Sequence, residues 1–210
     1  MKNQLSAAVK FLENAFDALN TRYFESALAK PVITIQSSPS AYGHCSVKEI
    51  WADGQGGKRR EVNLGAETLN RPVENTIATL VHEMVHLYNL QMGVQDCSRG
   101  NTYHNRKFKD EAEKRGLIIE YDKRIGWSRT TPAPELIDFI TAQGWAKVDM
   151  ARDSFGVKGA TGKKKSSTRK YICPVCGQSI RATKEVNVIC GDCMVKMVTE
   201  DETGDEANAA

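Results

Sequence analysis

Apolar residues recur at three- and four-residue steps in several parts of the chain, which is the spacing of one face of an α-helix. The first such stretch predicts a long amphipathic helix over residues 4–28. A second stretch starts near Asn70 and Pro72 and continues to about Met92. Gly93 marks its end, because proline suits the first turn of a helix and glycine suits the position after the last.

Shorter periodic stretches follow in the next third of the chain. They predict a helix from His104 to Arg115 and another over residues 134–144. LIIEY at 117–121 is apolar and β-branched and predicts a strand, whereas residues 130–134 contain two prolines and predict a turn.

Alternating or β-branched runs between the first two helices predict further strands. These cover residues 32–36, 44–51 and 60–65, and the DGQGG turn at 53–57 is expected to join the last two as a hairpin. Helices and strands that are not regularly alternated favour an α+β fold, with a small antiparallel-type sheet packed on the helices.

The composition of the chain changes after residue 151, which predicts the end of the main domain, 1–151. Residues 152–170 are rich in Gly, Lys, Ser and Thr and are expected to form a basic flexible linker. Residues 171–198 form a small separate module, and the acidic tail at 199–210 is expected to be disordered.

Charge is distributed unevenly along the sequence. The net charge is +3, but residues 158–198 hold nine basic and two acidic residues, while residues 199–210 hold five acids and no base. Basic residues concentrated in one region favour a polyanionic partner, with DNA the leading candidate and a merely solubilising linker the alternative. The candidate nucleic-acid-binding residues are Lys163, Lys164, Lys165, Arg169, Lys170, Arg181 and Lys184.

The predicted helix at 70–92 contains the sequence HEMVH, with His82, Glu83 and His86 in the pattern H-E-x-x-H. Two histidines one helical turn apart present their imidazoles to the same metal ion, and the glutamate lies beside its open position. This pattern predicts a zinc site with Glu83 as general base; the alternative is a pair of solvated surface histidines.

A catalytic zinc ion usually has three protein ligands and one water, so the two helical histidines need a third partner. His104, eighteen residues after His86, is the favoured candidate because it is expected to begin a helix. Glu111 and Glu113 remain alternatives for a site whose third ligand is a carboxylate from a downstream helix.

Four of the six cysteines form two C-x-x-C pairs in the C-terminal module, namely Cys173, Cys176, Cys190 and Cys193. Paired cysteines at this spacing predict a zinc ribbon, in which glycines relieve two tight turns and four thiolates fill the coordination sphere. A redox role is the alternative. We therefore expect two Zn²⁺ ions per chain, one catalytic and one structural.

The N-terminal segment lacks an apolar core and a cleavage site of the kind that secretory signals have, and no apolar stretch is long enough to cross a membrane. Cysteines in metal-binding pairs also favour a reducing compartment. The sequence thus predicts a cytoplasmic protein with no membrane partner.

The chain resembles the SprT-like metalloprotease family, which includes the Spartan-type proteases. The resemblance rests on HEMVH at 82–86, HNRKF at 104–108, AYGHCS at 41–46, the EVNLG strand before the motif helix, and the four-cysteine module. Asn105 departs from the glycine that usually follows the third histidine of the family, and asparagine also tolerates unusual backbone angles.

The resemblance implies a zincin-like fold in which His82, His86 and His104 bind zinc and Glu83 is the catalytic acid and base. It also implies peptide-bond hydrolysis, with proteins bound or crosslinked to DNA as substrates. A nucleic-acid-binding adaptor with a metallated but catalytically unimportant centre is the alternative. Tyr103 and Arg129 are weak candidates for oxyanion stabilisation, and Cys45 is expected to be a small buried apolar residue.

Overall fold

The computed structural model of the chain describes residues 5–38, 40–153 and 168–199. The chain divides near residue 155 into two compact units, and each is described by itself. Within the described residues, no helix is both long enough and apolar enough to cross a membrane. The acidic residues 200–210 and most of the predicted linker, 154–167, lie outside the described residues.

The first unit is a mixed α+β structure, as the sequence predicts. Its helices within the described residues are α1 (Leu5–Tyr23), α2 (Val73–Gln91), α3 (Arg106–Glu113) and α4 (Pro134–Ala142). The prediction for α1 was five residues too long at its end. Glu25 and Ser26 adopt positive φ angles, and the backbone N–H of Ser26 donates to the Asn20 carbonyl and closes the helix.

The first sheet contains strands from the region before α2. Its strands are β1 (Val32–Gln36), β2 (Gly43–Cys45) and β5 (Glu61–Gly65), in the order β1-β5-β2. The antiparallel-type prediction is only half right, because β5 is antiparallel to β2 but parallel to β1. After β1 the chain crosses to the other edge of the sheet and forms β2, which runs in the opposite direction to β1. It then turns back into β5, which lies between the two strands and is therefore parallel to β1.

The predicted hairpin is divided into two parts. Its DGQGG turn joins two short paired strands, β3 (Trp51–Ala52) and β4 (Lys58–Arg59). The predicted strand at 44–51 is interrupted after Cys45, so its first residues pair with β5 and its last with β4.

The second sheet follows α2 and has the order β6-β7-β9-β8. Its strands are β6 (Cys97–Ser98), β7 (Tyr103–His104), β8 (Leu117–Asp122) and β9 (Gly126–Pro132). The predicted turn at 130–134 is wrong, because the alternating Trp, Arg and Thr residues of β9 pair with β8 up to Pro132. The predicted helix start at His104 is also wrong: His104 lies in β7, and α3 begins at Arg106.

Helix α2 lies at the centre of the first unit and packs against both sheets and the other helices. Residues on all of its sides are buried, including Thr79, Leu80, Val81 and Asn89. The main core is completed by α1 and by Phe108 of α3. A helix that is enclosed in this way holds its polar side chains in fixed positions, which prepares the site described below.

The second unit contains a three-stranded antiparallel sheet of order β11-β10-β12, and the four cysteines lie in the segments between its strands. Its strands are β10 (Arg169–Ile172), β11 (Ser179–Ala182) and β12 (Val198–Thr199). The buried apolar core consists of Tyr171, Cys173, Cys190 and Met197. Such a core is too small to hold the module together by apolar burial alone.

Candidate metal centres

Three imidazoles converge in the first unit. His82 and His86 project from neighbouring turns of α2, and His104 projects from β7. Their Nε2 atoms form a nearly equilateral triangle, with separations of 3.1, 3.2 and 3.3 Å. The structure thus brings together the three histidines that the sequence singled out, although His104 comes from a strand and not from a helix start.

The hydrogen bonds that the three Nδ1 atoms make determine which nitrogen of each ring carries the hydrogen. Nδ1 of His86 donates to a carboxylate oxygen of Asp96 at 2.8 Å, and Nδ1 of His104 donates to the Ile125 carbonyl at 3.3 Å. Thr130 donates its own hydroxyl hydrogen to Ser128, so its Oγ1 accepts from Nδ1 of His82 at 2.8 Å. All three Nδ1 atoms therefore carry the hydrogen, and all three Nε2 lone pairs point at one another.

Three lone pairs that face one another repel, unless a cation lies between them. A tetrahedral zinc ion with Zn–N bonds of about 2.0–2.1 Å requires ligand nitrogens about 3.3 Å apart, and the observed separations lie close to that value. Burial and the neighbouring imidazoles lower the pKa of His82 and of His104, which favours the neutral, metal-binding form of each ring. The chemistry of this donor set fits zinc.

The ring of Phe108 forms the floor beneath the three imidazoles. Its centroid lies 4.5 Å from that of His82, 4.6 Å from that of His86 and 4.7 Å from that of His104, and the ring is fully buried. Phe108 is the last residue of the H-x-x-x-F pattern on which the family resemblance partly rests. Its packing restrains all three rings, so this residue positions the metal ligands.

Backbone geometry fixes the third histidine. The N–H of His104 donates to the Ile125 carbonyl at 2.9 Å, and His104 pairs with Gly126 of β9. Gly126 has a φ of +76°, and a Cβ atom there would lie 2.1 Å from the His104 carbonyl oxygen. Only glycine allows β7 and β9 to approach so closely at this point.

Asn105 has a different role from the one that the sequence suggested. Its backbone is extended, and its side-chain oxygen accepts hydrogen bonds from the Lys107 and Phe108 N–H groups at 2.8 and 3.4 Å. Asn105 therefore caps the N-terminus of α3. The cap holds the start of the helix that carries Phe108 immediately after the third histidine.

Glu83 lies on α2 beside the two helical histidines, and its side chain is buried. Burial, followed by the charge of Asp96, raises the pKa of Glu83 to about 7, and the charge of His86 opposes this shift. A Cβ atom at Gly43 would lie 3.1 Å from a carboxylate oxygen of Glu83 and 2.7 Å from the Asn63 carbonyl oxygen. The glycine of the AYGHCS segment thus lets β2 pass directly over this carboxyl group.

A cleft of about 980 Å³ opens over the three histidines and Glu83. Strand β2 forms one wall, and the residues from Ile125 to Thr131 form the opposite wall. Strand β2 is the outer strand of its sheet, because Tyr42 and Ser46 on either side of it bond to β5. The backbone groups of Gly43 and Cys45 consequently face away from β5, and the Cys45 N–H lies against the carboxyl group of Glu83.

Several residues in and around the site were not predicted from the sequence. Asp96 binds His86, Asn89 donates to the same carboxylate oxygen at 2.9 Å, and Thr130 binds His82. No spacing rule indicates them, because Asp96 precedes β6 and Thr130 lies in β9, far from the motif in sequence. Only Phe108 had a signal, through the H-x-x-x-F pattern.

The alternative ligands lie elsewhere. Glu111 forms ion pairs with Lys114 and Arg115, and Glu113 forms one with Lys109. His104, and neither of these glutamates, is therefore the third member of the cluster with His82 and His86. A third group of donor atoms, formed by His86, Asp96 and Cys97, shares His86 with the triad. The bond from His86 to Asp96 makes this group a support for the triad.

The two candidates for oxyanion stabilisation have other partners. The Tyr103 hydroxyl lies 2.9 Å from that of Tyr121, and Arg129 pairs with Asp122 at 3.0 Å. Cys45 is half-buried in the wall of the cleft, and burial raises the pKa of its thiol far above the usual range. This thiol remains protonated and apolar, which agrees with the expectation for Cys45.

The four cysteines of the second unit converge, with all four Sγ atoms within 4.8 Å of one another. Tetrahedral zinc with bonds of about 2.3 Å requires sulfurs about 3.8 Å apart, and Cys176 and Cys190 have a separation of 3.6 Å. Backbone N–H groups, first that of Cys176, lower the pKa of Cys173 to about 7 and favour its thiolate. The cluster fits a closed, structural zinc site.

The two cysteine turns have matching backbone hydrogen bonds. Gly177 N–H donates to Cys173 and Met194 N–H donates to Cys190, at 3.0 and 2.8 Å. Gly177 has a positive φ of 74°, as a tight turn requires, but in the second turn it is Met194 that has a positive φ, at 55°. The prediction that a glycine relieves each turn therefore holds only for the first.

The basic candidates are divided between described and undescribed residues. Arg169 and Lys170, which the sequence assigned to the linker, lie in β10, and Arg181 lies opposite Lys170 in β11. Lys184 is exposed in the turn after β11. The remaining three candidates, Lys163, Lys164 and Lys165, lie outside the described residues.

Comparisons with known proteins give one match. No curated protein and no solved structure matches the chain. The SprT-like family matches residues 12–121, a range that contains α2, the three histidines, Glu83 and Phe108 and covers more than half of the chain. The chain therefore belongs to the SprT-like family.

Proposed function

We propose that this protein is a zinc-dependent peptidase that acts on proteins associated with DNA. One observation carries the proposal: three imidazoles direct their Nε2 atoms at a single point, at the spacing that zinc requires, beside a buried glutamate. Membership of the SprT-like family supports it, because that family is associated with metallopeptidase activity.

In the proposed reaction, His82, His86 and His104 would hold the metal beside the cleft. When bound there, zinc polarises the scissile carbonyl and lowers the pKa of water. Glu83 takes the proton from the attacking water and later transfers it to the leaving amine. Burial raises the pKa of this carboxyl group, and the positive charge of a bound metal would lower it, so the two effects oppose each other.

The outer edge of β2 supports a peptide as the substrate. An extended peptide can add to this edge through main-chain hydrogen bonds, whatever its side chains are. Gly43 and the carbonyl of Cys45 supply the outward-facing backbone groups, while the Cys45 N–H bonds to Glu83. A peptide bound along β2 would therefore place a backbone carbonyl near the general base.

Two features support association with DNA. In the second unit, Arg169, Arg181 and Lys184 are exposed on or beside one antiparallel pair of strands. Exposed cations of this kind neutralise phosphates without reading sequence.

The second feature is an aromatic surface on the second sheet of the first unit. The rings of Tyr121 and Trp127 lie 5.2 Å apart, and Tyr121 contacts Tyr103 through its hydroxyl. Arg99 covers the ring of Tyr103 at 4.3 Å, and Lys109 covers that of Trp127 at 4.5 Å. Aromatic rings interleaved with cations favour stacking of single-stranded bases.

The substitution Glu83→Gln tests the proposed reaction. It should leave the zinc content unchanged and reduce cleavage of a DNA-bound protein by at least about 100-fold, because it removes the general base. Glu74→Gln, on the same helix, is the matched control and should cleave normally. Cleavage by the Glu83 variant at the wild-type rate would show that another group is the base. A wild-type protein that binds zinc but cleaves nothing would favour the adaptor alternative.

A further inference from the structure

Arg71 lies just before α2 and forms part of one end of the cleft. Its Nε donates to the Thr68 carbonyl and its Nη2 donates to the Thr79 hydroxyl, both at 2.9 Å. The guanidinium also lies over the ring of Tyr42, 4.0 Å from its centroid. These contacts hold the group in one orientation, so little conformational entropy is lost when a ligand binds it.

This guanidinium has no carboxylate partner among the described residues. Its hydrogen bonds there go to a carbonyl and a hydroxyl, both through Nε and Nη2, so Nη1 makes none. Arg129, which also lines the cleft, is paired with Asp122. Partial burial lowers the pKa of Arg71, yet a guanidinium remains charged at every physiological pH. A desolvated cation without a counter-ion is unfavourable, and an anionic ligand would relieve that cost.

The distance between Arg71 and Glu83 determines how far from the scissile bond such a ligand would lie. Its partner Thr79 lies four residues before Glu83, which is about 6 Å along the axis of α2. Side chains add a few ångströms to this distance, and an extended peptide advances by about 3.3 Å per residue. A group bound at Arg71 would therefore belong to a residue about two or three positions from the scissile bond.

We propose that Arg71 is a substrate subsite that binds a carboxylate of the peptide, two or three residues from the bond that is cleaved. This subsite rests on the proposed peptidase activity. The carboxylate can come from an aspartate or glutamate side chain or from the C-terminus of the peptide. A nucleic-acid phosphate fits less well, because polyanions are held by several cations, and the neighbouring residues Ser38, Thr68 and Asn75 are neutral.

Peptides derived from one cleavable parent test this subsite with the zinc-loaded full chain. One set is amidated at the C-terminus and carries glutamate or glutamine at each of the three positions on either side of the scissile bond. A second set keeps glutamine throughout and ends in a free carboxylate two or three residues after that bond. The value of kcat/KM is measured for every peptide.

Glutamate should exceed glutamine by about tenfold or more at one position, because a charge-assisted hydrogen bond discriminates to that extent. Arg71→Gln should bring this ratio to about one, whereas Arg22→Gln, an exposed change in α1 outside the cleft, is the control and should leave it unchanged. A preference confined to the second set would identify the C-terminal carboxylate as the ligand. The ratio of two substrates in one preparation does not depend on the folded fraction, so destabilisation of the variant cannot imitate the result.

The outcomes separate the subsite from the activity on which it rests. If the wild-type chain cleaves these peptides with no preference for a carboxylate, the subsite is wrong and the peptidase proposal stands. If Arg71→Gln retains the full preference, the carboxylate is bound elsewhere and the assignment is again wrong. If the wild-type chain cleaves neither these peptides nor a DNA-bound protein, both proposals fall.

Discussion

Nδ1 of His86 donates a hydrogen bond of 2.8 Å to Asp96, on the side of the ring opposite the three converging Nε2 atoms. Burial opposes the negative charge of Asp96, but the bonds from His86 and Asn89 outweigh it and lower the pKa of this carboxyl group. The carboxylate therefore remains ionised and fixes both the tautomer and the direction of the ring. A metal-bound histidine is commonly held in this way by a second group.

Asp96→Ala should lower the zinc affinity of the histidine site by about 10- to 100-fold, because His86 would lose its orienting partner. Competition with a fluorescent chelator measures this affinity. Asp110→Ala, at an exposed position of α3, is the control and should bind zinc as the wild-type chain does. Equal affinity in the two variants would show that Asp96 does not position the ligand.

Gly126→Ala should damage both stability and metal binding, because its Cβ atom would collide with the His104 carbonyl. Gly93→Ala is the matched control: its φ is also positive, at 65°, but a Cβ atom there meets nothing within 4 Å. The control should lose only the conformational term, about 1–2 kcal/mol in the free energy of unfolding. Denaturant unfolding and zinc titration of both variants measure the difference, and equal losses would contradict the account.

The four-cysteine module should depend on its metal. Cys176→Ser removes one thiolate, and the remaining core of Tyr171, Cys173, Cys190 and Met197 is too small to compensate. Amide NMR signals of residues 168–199 should collapse, while those of the first unit persist, because its core is separate. Ser179→Ala, an exposed change in β11, should leave both sets intact. A folded ribbon in the Cys176 variant would show that metal does not hold it together.

Binding to single-stranded DNA should weaken steeply with salt if the ribbon contacts phosphates. The combined substitutions Arg169→Gln, Arg181→Gln and Lys184→Gln remove three exposed cations and should reduce the slope of log K against log salt by about 2. Lys123→Gln, an exposed change in the first unit, serves as the control. An unchanged slope in the triple variant would exclude the ribbon as a phosphate-binding surface.

Local sequence signals were enough to predict α2 and the placement of its two histidines on one face. The spacing of His82 and His86 follows from helix geometry, and the cysteine pairs carry their own short-range pattern. The exact boundaries of the main domain and of the C-terminal module stay predictions. The flexibility of the linker and the cytoplasmic location also stay predictions.

Features that depend on distant parts of the chain could not be predicted in the same way. His104 is placed by its pairing with Gly126, and β9 forms because β8 is beside it, so no short window of sequence contains the information. The parallel pairing of β1 with β5 likewise depends on the path of β2. Tertiary contacts outweigh local propensity in each of these cases.

The central claim is that His82, His86 and His104 hold one zinc ion while the four cysteines hold another. Elemental analysis of the full chain after dialysis tests it most directly. The account predicts two zinc ions per chain in the wild-type protein, one after His104→Ala and one after Cys176→Ser. Two zinc ions retained by the His104 variant, or a single ion in the wild-type chain, would contradict it.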